Sequence, residues 1–193
     1  MRQEDRGLLK KALEQKLMVV VYRDDIGGTY YGGIPVMLSA ELVVLARERE
    51  FDLDGYVVLR LRDITLVEQY DDNDFCRRVL EGEGVYQRAA SPRLRDCGTM
   101  ARVLEGVAQG YRGWLSVECE SPEDTLFYVG VVASVEDTVL TLRRVDADGS
   151  WHDTPATLPM EDITCLTFGG RYLAVYQQYT KEPSDRRDRK DGR

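Results

Sequence analysis

Apolar positions recur every three to four residues over 3–17. Leu8, Leu9, Leu13 and Leu17 lie near one face and Lys10, Lys11, Glu14 and Gln15 mostly on the other, which predicts a short amphipathic helix. The pattern then changes to short apolar, β-branched runs separated by turn residues. Residues 18–22, 29–38, 42–49, 56–60 and 64–69 read as five strands, with turns at 24–28 and 51–55 and a tight corner at Asp63. Gly32 and Gly33 mark a bend or bulge in the second strand. Asn73 or Asp74 is placed to cap a short helix through Leu80.

The same order returns further along. Residues 100–109 form a second leading helix, which Gly106 weakens. Strands follow at 114–119, 126–135, 139–144, 154–158 and 163–168, with a bend at Gly130 and a corner at Asp162. The two halves share wording as well as rhythm. Tyr31-Gly32-Gly33-Ile34 and Leu42-Val43-Val44-Leu45 match Tyr128-Val129-Gly130-Val131 and Val139-Leu140-Thr141-Leu142 at a constant lag of 97. Asp63-Ile64-Thr65 matches Asp162-Ile163-Thr164 at 99. A lag this long describes two copies of one small domain, since solenoid repeats run about 20–50 residues.

Five short antiparallel strands per copy favour a small closed or nearly closed barrel. The expected organisation is a first barrel with its leading helix over 1–80, a linker over 81–99, and a second barrel over 100–180. The last thirteen residues, 181–193, are charged, lack aliphatics and are expected to be disordered, and 171–179 reads as a last helix or strand.

Charge and chemistry narrow the function classes. The net charge is −8, and the tail carries +2, so about −10 rests on the body, which repels phosphate and disfavours nonspecific nucleic-acid binding. The charged start precedes no long apolar run, so no secretory signal is expected, and no stretch approaches the roughly 20 apolar residues of a bilayer span. The four cysteines form no CxxC pair and there is one histidine, which argues against a Cys/His zinc site and for free thiols in the cytoplasm. His152 beside Asp153 has no counterpart in the first copy, and no serine or cysteine sits in a nucleophile motif. Gly27-Gly28 and Gly32-Gly33 lack the helix and the Lys-Ser/Thr ending of a phosphate loop. Asp63, Asp162, Gly33 and Gly130 therefore read as structural turn and bend residues. Arg60, Arg62, Arg143 and Arg144 are the candidates for phosphate contact, and Tyr30, Tyr31, Phe127 and Tyr128 for stacking, with one of each aromatic pair facing the core.

A leading helix, five short strands, a glycine in the bent second strand and an Asp-Ile corner together resemble the Sm-like (Lsm) small barrel. Leu59-Arg60-Leu61-Arg62-Asp63-Ile64-Thr65-Leu66-Val67 follows that family's second motif, with Leu61 standing where the motif has glycine. Leu158 to Leu166 follows the apolar frame only, with Pro159 in the arginine slot. The Asp and Asn of the first motif have no counterpart near Leu38 and Leu42, or near Val135 and Val139. The chain also resembles bacterial proteins in which a Gly-apolar strand precedes a Leu-x-Asp-Ile turn. The resemblance implies rings built by pairing strand 4 with strand 5, and single-stranded RNA at the ring pore, where Arg60 alone carries over. The expectation is two tandem Sm-like barrels in a non-enzymatic, cofactor-free interaction or assembly module. It self-associates or takes a protein partner through strand edges, completing a ring or standing as a built-in dimer. RNA binding through a degenerate pocket is the alternative.

Overall fold

A computed structural model describes residues 1–27, 30–70 and 74–181. Gly28 and Thr29, the Asn73 cap and the expected disorder over 182–193 lie outside the described residues. The first half runs α1 (Gln3–Gln15), β1 (Val19–Tyr22), β2 (Tyr30–Leu38), β3 (Leu42–Arg49), β4 (Asp52–Arg60) and β5 (Leu66–Gln69). Helices α2 (Asp74–Gly82) and α3 (Val85–Arg88) follow. The second half runs α4 (Met100–Gly110), β6 (Trp114–Glu120), β7 (Thr125–Val135), β8 (Val139–Val145), β9 (Ala156–Pro159), β10 (Cys165–Phe168) and α5 (Arg171–Tyr179).

The strands do not close into two barrels. They form one antiparallel sheet of ten strands, in the order β5-β1-β2-β3-β4-β10-β6-β7-β8-β9. Each half contributes its strands in the same internal order, fifth-first-second-third-fourth. The reason no ring of strands closes is that β4 pairs with β10 of the other half, and β5 and β9 remain as the two outer edges.

The repetition is one of backbone detail. Both second strands carry a bulge at the matched place, between Pro35 and Met37 and between Val132 and Ser134. Gly33 faces Arg47 and Gly130 faces Arg144. A Cβ on Gly33 would stand 2.6 Å from the Ala46 carbonyl oxygen, and one on Gly130 only 2.1 Å from that of Arg143. The close approach of second and third strands at the bend therefore admits glycine alone. The corners are short 3-10 turns, Leu61–Asp63 and Met160–Asp162. Backbone bonds close them, from Ile64 N–H to Leu61 O and from Ile163 N–H to Met160 O, not the aspartates. The first strands match at a lag of 96, because Val19 faces Gly33 whereas Leu115 faces Gly130.

The predicted turn over 51–55 is tighter than its composition suggests. Arg49 faces Asp52 across a two-residue loop, and both Glu50 (φ 54°) and Phe51 (φ 66°) adopt the left-handed conformation of a type I′ turn. The predicted linker also holds structure. Leu80, Val85 and Ala89 from α2, α3 and the residue after it pack on Met18, Ile34 and Ala46, so this segment roofs one face of the first repeat.

The two cores lie on opposite faces of the sheet. Leu9 and Ala12 of α1 cover Val19, Val21, Val43, Leu45, Val57 and Leu59. The matching core of the second repeat sits under Val103, Leu104 and Val107 of α4. Leu166 of β10 faces Val58, whose side chain lies on the back of the first repeat's sheet. Leu42, Val44 and Val58 are thereby buried in the second repeat's core. Each such aliphatic contributes roughly 1.5–3 kcal/mol when fully buried.

Candidate functional site at the repeat junction

The β4–β10 ladder pairs Leu59 with Cys165 and Val57 with Thr167. Arg60 fastens its end. Nε donates to Ile163 O at 2.6 Å and Nη2 donates to Met160 O, while exposed Arg62 donates to Glu161 O at 2.9 Å. Two of the four candidate arginines therefore serve the junction itself. Arg143 and Arg144 are adjacent on β8 and point to opposite faces. Arg143 stacks over Trp151 at 4.1 Å and Arg144 over Tyr128 at 5.6 Å. The four arginines do not converge on one surface. Arg60→Ala removes charge-assisted bonds to two carbonyls and is expected to lower stability by about 2–3 kcal/mol, read from urea unfolding.

Asp63 is half-buried at its corner. Burial holds its carboxyl above the usual range, and among the described residues its ion-pair partner is the exposed Arg62, 3.5 Å from Oδ1. His152 pairs with Asp146 at 3.2 Å rather than with Asp153. The aromatic pairs divide as the alternation predicts: Tyr31 is buried and Tyr30 exposed, while Tyr128 packs against the second core and Phe127 is exposed.

The junction holds a polar cluster that no local motif announces. Arg23 follows β1 and Glu120 ends β6. Their side chains are 0% and 2% exposed and form a two-pronged ion pair, Nη1 to Oε2 at 2.6 Å and Nη2 to Oε1 at 2.9 Å. Thr164 Oγ1 donates to Glu120 Oε2 at 2.7 Å and accepts from the Glu120 N–H. Beside this pair the Tyr31 hydroxyl donates to the Glu118 carboxylate at 3.2 Å, and the Cys165 thiol donates to the Tyr31 oxygen at 3.4 Å. Burial, with Glu120 next to it, raises the pKa of Glu118, and burial likewise keeps Cys165 protonated. A fully buried, protonated thiol is a packing group rather than a nucleophile.

On the same face, next to this cluster, a cleft of about 210 Å3 opens between the repeats. Arg47 and Arg49 of β3 line one side, Ser116, Glu118 and Thr167 its floor, and Phe127 and Tyr172 its mouth. The Asp54 carboxylate accepts from the Arg171 N–H at 2.5 Å, which seats the start of α5 and brings Tyr172 over the cleft. Arg47 lies over Tyr31 at 5.6 Å, the same spacing as Arg144 over Tyr128 in the second repeat. That recurrence is visible in the sequence, since Tyr31 and Arg47 match Tyr128 and Arg144 at the lag of 97. Arg49 has no such echo, because its matched position is Asp146. Among the described residues no helix is long and apolar enough to cross a membrane. Comparison with protein-family models, with curated proteins and with solved structures finds no match.

Proposed function

We propose that this chain is a non-enzymatic interaction module built as a self-contained pair of Sm-like repeats. Its internal junction takes the place of self-association, and the pair presents its faces to a protein partner. The observation that carries this reading is the chemistry of the two outer edges. Tyr70 N–H bonds Met18 O, so alternation along the ladder turns the Val67 N–H away from β1 toward the outer edge of β5. There the Asp5 carboxylate of α1 accepts it at 3.0 Å. The matching residue of the second repeat, Leu166, faces Val58 of β4. Asp5 thus occupies the place of a neighbouring strand.

The other edge differs from the internal junction in kind. Met160 N–H bonds Thr138 O, so Thr157 and Pro159 turn their backbone groups outward from β9. Pro159 has no N–H to offer, nor has Pro155 just ahead of the strand, and Pro159 stands where the junction has the clamping Arg60. Buried Val44 and Val58 have Thr141 and exposed Thr157 as their counterparts. Polar substitution, proline and a covering side chain are the devices by which sheet edges resist further pairing. Restoring the junction's chemistry tests the reading. The combined variant Asp5→Ala, Thr141→Val, Thr157→Val and Pro159→Arg is expected to associate end to end in sedimentation, while the parent chain sediments as one chain. A parent chain that forms a discrete oligomer overturns the proposal.

A further inference from the structure

We propose that the cleft between the repeats binds an aromatic oxyanion, with its charged group on Arg47 and Arg49 and its ring against Phe127 and Tyr172. The site is separate from the sheet edges and stands whether or not the edges are closed. Three observations carry it.

The first is a pair of arginines outside any direct ion pair among the described residues of an acidic chain. Acids outnumber bases, 34 to 26. Arg2, Arg23, Arg62, Arg88 and Arg102 all have carboxylate partners. Among the described residues neither Arg47 nor Arg49 has a carboxylate within ion-pair distance, though both line one cavity. Glu118 and Asp54 also line the cleft, but Glu118 takes the Tyr31 hydroxyl and acts on Arg47 only from beyond ion-pair distance, and Asp54 takes the Arg171 N–H. Two guanidiniums spaced i, i+2 on a strand suit the planar, two-pronged recognition of a carboxylate or phosphate.

The second is the aromatic mouth. Phe127 and Tyr172 are 51% and 47% exposed at the rim of the same cavity. Rings held in water beside arginines offer a flat apolar surface to a second ring, through offset or edge contacts.

The third is size and the contrast with the second repeat. About 210 Å3 is less than the roughly 300–1,000 Å3 of cavities that enclose whole drug-sized ligands or cofactors, and suits one ring with its charged group. The second repeat has a cavity of about 270 Å3 beside the matched Tyr128 and Arg144, but Asp146, which pairs with His152, stands there in place of Arg49, so that cavity sets an acid beside one arginine where the cleft sets two arginines.

The test is titration of the full chain, watched by NMR at the arginine Nε–Hε groups and the backbone, with phenyl phosphate, benzoate and the neutral benzyl alcohol. The expected result is a saturable shift confined to Arg47, Arg49, Phe127, Tyr172 and their neighbours with at least one of the two anions, about tenfold weaker or more in the exposed-site variant Arg49→Gln. Binding of phenyl phosphate alone assigns the natural group to a phosphate ester, and binding of benzoate alone assigns it to a carboxylate. Equal shifts with benzyl alcohol, shifts spread over all arginines without saturation, or an unchanged affinity in Arg49→Gln overturns the proposal. Arg47→Gln gives a second reading of the same site, and unaltered backbone spectra away from the cleft show that either variant is folded.

Discussion

Replacing Glu120 with alanine is expected to destabilise the chain by about 3–5 kcal/mol, a large share of the roughly 5–15 kcal/mol that holds an ordinary domain together. The effect comes from what is left behind. Arg23 is wholly buried and among the described residues its Nε already lacks a hydrogen-bond partner, so removing Glu120 leaves a core cation without its ion-pair partner, with the Tyr31 ring 5.0 Å from its guanidinium carbon and the Glu118 and Asp63 charges acting from further off. The pair bridges the repeats, and its loss is expected to loosen the β4–β10 junction before either repeat unfolds. Removing both charges is a different experiment. Arg23→Met with Glu120→Leu is expected to recover most of the loss, because well-packed apolar replacements of a buried ion pair are often neutral or stabilising. Thr164 keeps an acceptor in that variant, the Glu118 carbonyl at 3.0 Å. Urea unfolding of the two single variants and the double variant measures the coupling. Additive losses would show that the pair is not the unit holding the junction.

The second large effect is expected at Gly130. A methyl group there meets the Arg143 carbonyl oxygen at 2.1 Å, and backbone on both sides must move apart. Gly130→Ala is expected to lower stability by about 3 kcal/mol, at the upper end of overpacking losses, by parting β7 from β8 at the bend. Gly7→Ala is the control. Gly7 lies inside α1, where a methyl group would meet nothing within 4 Å, and alanine there is expected to add about 0.5–1 kcal/mol through helix propensity. Thermal unfolding of both variants reads the contrast. Equal, small shifts would mean that the bend tolerates a side chain and that the glycine recurrence has no steric cause.

Much of the local structure is legible in the sequence because it depends on short-range rules. The change from helical periodicity to short apolar, β-branched runs between turn residues locates the leading helices and all ten strands, and the recurring Gly33 and Gly130 mark bends that the structure explains by close backbone approach. What the sequence does not announce depends on which edge meets which. Five strands can close on themselves or pass their fourth strand to a neighbour. That choice lies in Val58 facing Leu166 and in Arg60 reaching Ile163, about a hundred residues apart. The buried Arg23–Glu120 pair is hidden for the same reason: each residue alone reads as a solvated charge at a strand end. Val85 and Ala89 are lost in a segment rich in Gly, Pro and charge, where composition outweighs two apolar residues that pack against Met18 and Ile34. The motif frame favours Arg60 and Arg62 over the arginines of the cleft, yet the junction uses that favoured pair for its own carbonyls.

On the proposed reading, Asp5 and Pro159 shut the outer edges β5 and β9 against a third repeat. Native mass spectrometry of the purified chain across a concentration series tests this most directly. The expected result is the mass of one chain, near 22.0 kDa, at every concentration. A discrete multiple of that mass, persisting on dilution, would contradict it and mean that the β5 and β9 edges pair despite Asp5 and Pro159.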